Sequence, residues 1–421
     1  MAVKFSSISA IEILDSRGRP TLSVWATLSD GRQVSSGVPS GASTGSREAV
    51  ELRDHDERYG GLGVLNAVAG VNGPIAEALT SRPFSGLDEI DQTLRELDGT
   101  PDKSRLGANA IVGVSMAAAQ AFAVESGKPL WQWLIPEGVV PRLPVPHFNV
   151  VNGGAHAINS LDFQEFMIAP IAAPSLQEAV RAGAEVYRCL RSTLVDRNLA
   201  TGLGDEGGFA PDVDSAEEAL ALLTKAIGDA GYTPGRDGVA IAIDPAASEF
   251  HRDGRYRLGW QSLSSDELID RYTGIVERFP VWSIEDGMGE HDTAGWQKLT
   301  AALGDRVQLV GDDNFVTNPE FIASGVRAGI ANAALIKVNQ IGTVTETLEA
   351  LRVCRDAGYG AMISHRSGET DDSFIADLAV ASGCGQIKSG APARGERVAK
   401  YNRLLQITAA TSNLAFGLPP R

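Results

Sequence analysis

The sequence predicts an α/β protein in which a parallel barrel follows a smaller α+β region. Three observations predict it. Six strand-like runs in the second half each end on one polar or charged residue. The segments between those runs are long enough for helices. Residues 1–135 lack that alternation.

In chain order, Ile8–Leu14 and Thr21–Leu28 read as strands, with Asp15-Ser16-Arg17-Gly18 as the turn between them. Ala108–Glu125 is small and apolar and is followed by Gly127, the pattern of a tightly packed helix. Pro136, Pro141, Pro144 and Pro146 mark a linker. The expected domains are therefore 1–135 and 143–421. Beyond the linker, Ser175 with Glu178, Ser264 with Glu267, and Thr343 with Glu346 have the capping-box spacing of a helix start. Leu268, Ile269, Tyr272, Ile275, Val276 and Phe279 share one helical face, and Pro280 stops that helix.

The six runs are Val239–Asp244, Val281–Glu285, Val307–Asp312, Ala333–Lys337, Ala361–His365 and Gly385–Lys388. In a parallel barrel the carboxyl ends of the strands gather at one mouth. Three acids followed by Lys, His and Lys then read as a metal site with a base and anion-binding groups. Three carboxylates suit a hard octahedral cation such as Mg²⁺ rather than Zn²⁺, which favours His and Cys. Asp286 and Asp313 stand beside two of these acids, and spacing does not separate the alternatives. Lys337 lies in an apolar run, where desolvation lowers an ammonium pKa and frees the amine to act as a base.

Composition narrows the partners. A chain of 421 residues is long for one core. A net charge of −16 argues against nucleic acid and anionic membranes, though a local site can still be basic. Cys189, Cys354 and Cys384 are odd in number and widely spaced, which fits a reducing compartment. No signal peptide and no membrane span are read, so a cytoplasmic location is expected.

Four segments carry a resemblance. They are Val38-Pro39-Ser40-Gly41-Ala42-Ser43-Thr44-Gly45, Gly204-Asp205-Glu206-Gly207-Gly208-Phe209-Ala210-Pro211, Leu335-Ile336-Lys337-Val338-Asn339-Gln340-Ile341-Gly342-Thr343 and Ser364-His365-Arg366-Ser367-Gly368-Glu369-Thr370. Together they closely resemble the enolase family of Mg-dependent dehydratases. The likeness runs from Asp15 to Asn402. It implies a modified (β/α)8 barrel behind an α+β N-terminal domain, with the first barrel strands departing from simple alternation. It selects Asp244, Glu285 and Asp312 as ligands of one Mg²⁺, and implies a second Mg²⁺, bound with substrate, at Ser40. It implies Lys337 as the base, Glu206 as the general acid, and Glu165 and His156 beside them. Gln164, His365, Arg366, Ser367 and Lys388 would hold the substrate.

The implied reaction removes water from 2-phosphoglycerate. Its C2 proton is barely acidic, because removal adds charge to an anionic carboxylate, and metal ions would offset that charge. Glu206, buried beside another carboxylate, is expected to hold a proton near neutrality through a raised pKa. A homodimer is also implied. The chain departs from the family pattern at Ala155, Ile158, Pro245, Gly287 and Gly395, in the Gly60–Gly63 stretch, and in its tail. A family relative, carboxyphosphonoenolpyruvate synthase, performs the same elimination on a phosphonate, and these departures keep it as an alternative. A non-catalytic scaffold is the remaining reading.

Overall fold

The computed structural model describes residues 2–42, 44–157 and 159–419. β1 (Phe5–Leu14), β2 (Pro20–Leu28) and β3 (Gln33–Gly37) form an antiparallel sheet in that order. β1 begins earlier than the alternation suggests. Phe5 is buried and pairs with Leu28, but the register shifts between Phe5 and Ser7, and the irregularity hides the start of the strand.

The helix Ala108–Glu125 lies under this sheet. It is apolar nearly all round, as a fully buried helix should be. By length and composition it could cross a membrane, yet 83% of it is buried inside the fold. Gly113 permits the close approach: a Cβ there would stand 2.7 Å from Val24 and 2.8 Å from Val38. At the same point the Ser36 hydroxyl donates to the Gly113 carbonyl at 2.7 Å.

Eight strands close a barrel. They are β4 (Val145–Asn152), β5 (Glu165–Ala169), β6 (Ala240–Asp244), β7 (Val281–Glu285), β8 (Gln308–Gly311), β9 (Ala333–Ile336), β10 (Gly360–Ser364) and β11 (Gln386–Lys388), in the order β7-β8-β9-β10-β11-β4-β5-β6. β5 runs antiparallel to both β4 and β6, and the other pairs are parallel. β5 returns antiparallel to β4, and its last residue, Ala169, pairs with Ala240 at the start of β6. Two helices, Leu176–Asp196 and Ala216–Asp229, lie in the connection between β5 and β6. This is the modified barrel that the resemblance implies. Phe148 on β4 packs tightly under the first of these helices, where a Cβ on Gly183 would fall 2.3 Å from its ring.

Asp244, Glu285 and Lys388 are the last residues of their strands, while Asp312, Lys337 and His365 stand one residue beyond theirs. All six therefore sit at the carboxyl mouth. Of the three capping boxes, only Ser264–Glu267 is reciprocal. Ser175 and Thr343 do cap their helices, but Glu178 turns to Arg181 and Glu346 to Lys103. Those cations offer each glutamate a charge-assisted partner. A small antiparallel sheet, built from His251–Arg252, Arg255–Leu258 and Gln261–Leu263, was not expected from the sequence.

Candidate active site

Lys388 organises the acids at the mouth. Its ammonium lies 2.8 Å from Glu285 Oε1, 3.0 Å from Glu165 Oε2 and 3.3 Å from Asp244 Oδ2. Burial alone would lower its pKa, but Glu165, Glu285 and Asp244 outweigh burial and hold it well above the usual lysine range. Glu285 is pushed well up by burial and by Asp244, despite Lys388. Crowded carboxylates of this kind are what a hard cation relieves. Glu285 Oε2 is also buried with no hydrogen-bond partner among the described residues. Asp244 Oδ1 accepts from Ala246 N, and Asp312 Oδ1 accepts from Gln340 Nε2 at 2.8 Å. An oxygen-only set of three carboxylates, one oxygen unsatisfied, fits Mg²⁺ better than a softer metal.

Asp286 belongs to a different construction. Its carboxylate accepts from Asp312 N at 2.8 Å and from Asp313 N at 3.0 Å, so it braces the end of β8. Among the described residues, Asp286, Asp312 and Asp313 bring donor atoms within 4.8 Å of one another, as do His156, Glu165 and Glu206. The trio Asp244, Glu285 and Asp312 is not so tightly grouped, because Lys388 and Lys337 are interleaved with it.

Lys337 is ion-paired to Asp312. The expectation of a lowered pKa is corrected here. Burial does push the ammonium pKa down, but Asp312 overrides burial and the net direction is upward. The apolar strand shows the desolvation; the compensating carboxylate arrives from another strand.

Glu165 and Glu206 face each other across His156, whose Nδ1 is 3.6 Å from Glu165 and 3.8 Å from Glu206. Burial and the Glu206 charge raise Glu165 well above the carboxylate range. Glu206 moves the other way: burial raises it, but His365, His156 and Arg397 bring it down. This reverses the expectation that Glu206 carries the raised value. Burial lowers both histidines, His365 to about 4. Within the glutamate pair, Glu165 therefore holds a proton more readily than Glu206.

The remaining residues read from the sequence divide by location. His156, Gln164, Lys337, His365, Arg366 and Ser367 line one narrow cleft with Glu165, Glu206, Asp244, Asp312 and Lys388. Gln164 Oε1 is buried without a hydrogen-bond partner among the described residues. Arg366 is gripped by Glu48, with contacts of 2.9 and 3.1 Å, and donates to Asn339 at 3.0 Å. Ser367 Oγ accepts from Ala42 N at 2.6 Å. Ser40 lies apart from the acids. Its hydroxyl donates to Glu51 at 3.1 Å and accepts from Arg53 at 2.9 Å and Arg17 at 3.3 Å. Two guanidinium groups make this oxygen a poor cation ligand as it stands.

The comparisons with known proteins agree with this geometry. Residues 141–416 match the enolase C-terminal TIM barrel domain, and residues 5–134 match the enolase N-terminal domain. A protein named Enolase from Acidothermus cellulolyticus is 57% identical over 407 residues, covering 97% of this chain and 94% of the relative. Another of that name, from Rubrobacter xylanophilus, is 54% identical, covering 96% and 94%.

The chain belongs to the enolase family.

Its departures from the enolase pattern have local accounts. Ala155 lies in the exposed part of a short helical turn before His156. Pro245 precedes Ala246, which adopts φ 51° and donates to Asp244 Oδ1. Gly287 is closely surrounded, since a Cβ would stand 2.9 Å from Leu299. Gly395 opens an exposed helix start. Ile158 falls outside the described residues.

Sequence reasoning missed Glu48, Asn149 and Arg397. Glu48 holds Arg366, Asn149 donates to Glu206 Oε2 at 2.9 Å, and Arg397 joins the His365 and Glu206 loops. Arg397 stands within a segment already matched to enolases, which was its available signal. Glu48 and Asn149 had none, because their partners are distant in sequence.

Proposed function

We propose that this enolase-family member is a hydro-lyase that converts 2-phosphoglycerate to phosphoenolpyruvate. One observation carries the reading: a lysine, two buried glutamates flanking a histidine and an arginine line the same small cleft. Asp244, Glu285 and Asp312 would hold one Mg²⁺; a second, bound with substrate at Ser40, would require that hydroxyl to leave Arg17 and Arg53. Bound metal would supply electrostatic stabilisation of charge that develops on the substrate carboxylate.

The side chains have separable tasks. Lys337 removes the C2 proton at Nζ from its neutral amine form, having first given up its ammonium proton. Its partner Asp312 holds the ammonium charged, so its basicity depends on what else that carboxylate binds. Glu206 gives a proton to the departing C3 hydroxyl, after drawing on the proton held by Glu165. Arg366 grips phosphate with two parallel hydrogen bonds, and Lys388 neutralises carboxylate. Gln164, His156, His365 and Ser367 orient the substrate. We assign residues 1–135 to a capping domain and 143–421 to the catalytic barrel, and place the enzyme in the cytoplasm as a homodimer.

The phosphonate reading is disfavoured because relatives of 54–57% identity bear the name Enolase. A scaffold role is disfavoured because every acid and lysine of the proposed chemistry is present. The test offers 2-phosphoglycerate and the phosphonate analogue separately, with Mg²⁺, and follows product absorbance. Turnover of 2-phosphoglycerate that stops with chelator is expected. Turnover of the analogue alone would overturn the substrate, and turnover of neither would overturn the enzyme.

A further inference from the structure

Arg397 is fully buried, and the chemistry described above makes no use of it. Its guanidinium has donors only and cannot be deprotonated. Such a group is buried only where acceptors surround it. Beside the Glu396 carboxylate, 3.5 Å from Nε, and the Ser16 hydroxyl, 3.5 Å from Nη2, the closest acceptors belong to two catalytic loops. Nη1 donates to the Arg366 carbonyl at 2.6 Å and to His365 Nδ1 at 2.6 Å. Nη2 donates to the Ser367 carbonyl at 2.6 Å and the Asp205 carbonyl at 3.1 Å.

The contact with His365 has a chemical consequence. A nitrogen that receives a guanidinium N–H must offer its lone pair, so His365 Nδ1 carries no proton. The neutral imidazole then carries its proton on Nε2. That nitrogen lies 3.2 Å from Glu206 Oε2, without hydrogen-bond geometry among the described residues. The same oxygen already accepts from Asn149 Nδ2 at 2.9 Å. A proton placed on Oε2 would therefore crowd a hydrogen-bond donor and a second, protonated ring nitrogen close by. Oε1, the oxygen nearer His156, is the one left to carry it.

We propose that Arg397 is a positioning residue for the elimination: by fixing the His365 tautomer, it confines the transferable proton of Glu206 to Oε1. This rests on the reading of Glu206 as the acid. Without Arg397, His365 can place its proton on Nδ1 and offer a lone pair to Glu206 Oε2. That oxygen can then hold the proton, pointed away from the leaving hydroxyl. Proton removal at C2 does not involve this linkage and should continue.

The test uses the full-length protein and two measurements. In wild type carrying ¹⁵N-labelled histidine, His365 should be neutral with Nδ1 bare and Nε2 protonated at pH 7; a protonated Nδ1 overturns the proposal whether or not any variant folds. In Arg397→Met, which offers no donor to Nδ1, dehydration of 2-phosphoglycerate should fall by about 10²-fold or more, while exchange of its C2 proton with solvent stays within a few-fold of wild type. Adding His365→Gln to Arg397→Met should restore part of the rate, because a Gln amide donates with no tautomer to choose. Equal loss of exchange and dehydration, or no rescue, would make Arg397 merely structural and overturn the proposal. Wild type that does not dehydrate 2-phosphoglycerate would instead overturn the parent reading.

Discussion

Asp91 offers a measurable cost of burying charge. It lies on the helix Leu87–Asp98 and accepts from Thr345 N at 2.9 Å, so it ties the N-terminal region to the barrel helix Val344–Asp356. Burial raises its pKa from 3.8 to about 6; hydrogen bonds from Ser115 and Thr345 offset part of that, and Glu346 adds to it. Glu346 is itself paired with Lys103 at 3.1 Å. The folded form thus binds the Asp91 proton more tightly than the unfolded chain does. The resulting stability is complete below pH 3.8 and is lost as pH rises through about 6. A shift of this size is worth about 3 kcal/mol at neutral pH. Asp91→Asn keeps an acceptor for Thr345 N and removes the charge. Against wild type, the variant should gain up to about 3 kcal/mol at pH 7, with the advantage shrinking toward pH 4. Urea unfolding followed by tryptophan fluorescence from pH 4.5 to 7.5 measures that difference. A difference that is flat with pH, or that grows as pH falls, would refute the reasoning.

Other outcomes follow from the site and the core. Asp312→Ala should abolish tight Mg²⁺ binding, because two anionic ligands compensate the dication too weakly; calorimetry with unchanged affinity would remove Asp312 from the metal site. Lys337→Ala should lose C2-proton exchange, whereas Glu206→Gln should keep exchange and lose dehydration, each by about 10²–10⁴-fold. Equal exchange losses would mean that base and acid are misassigned. Gly183→Ala would drive a methyl group into the Phe148 ring, 2.3 Å from the glycine's ideal Cβ, and should cost about 1–3 kcal/mol. An unchanged thermal midpoint would show that the helix can move aside.

Much of the barrel was legible because strand-ending polar residues are a local signal. Strand period and flanking helices are set by near neighbours, and Val281–Glu285 was read to the residue. The ends that drifted by one residue are those where a side chain leaves the ladder for the mouth, as at Asp312 and Lys337. Motif order likewise located the acids and both lysines. Protonation was not legible in the same way. The apolar run around Lys337 showed the desolvation cost but not the Asp312 carboxylate that reverses it.

The sequence by itself determined which groups meet at the mouth: three acids, two lysines and a histidine at the ends of six successive strands, with Arg366 next to the histidine. Only the tertiary structure decided how their charges divide. Lys388 is shared among Glu165, Asp244 and Glu285; Arg366 is taken by Glu48, 318 positions away; and Arg397 reaches His365 across 32. Local backbone geometry is encoded within a few residues, but a buried charge is set by every group within a few ångströms, and those groups come from across the chain.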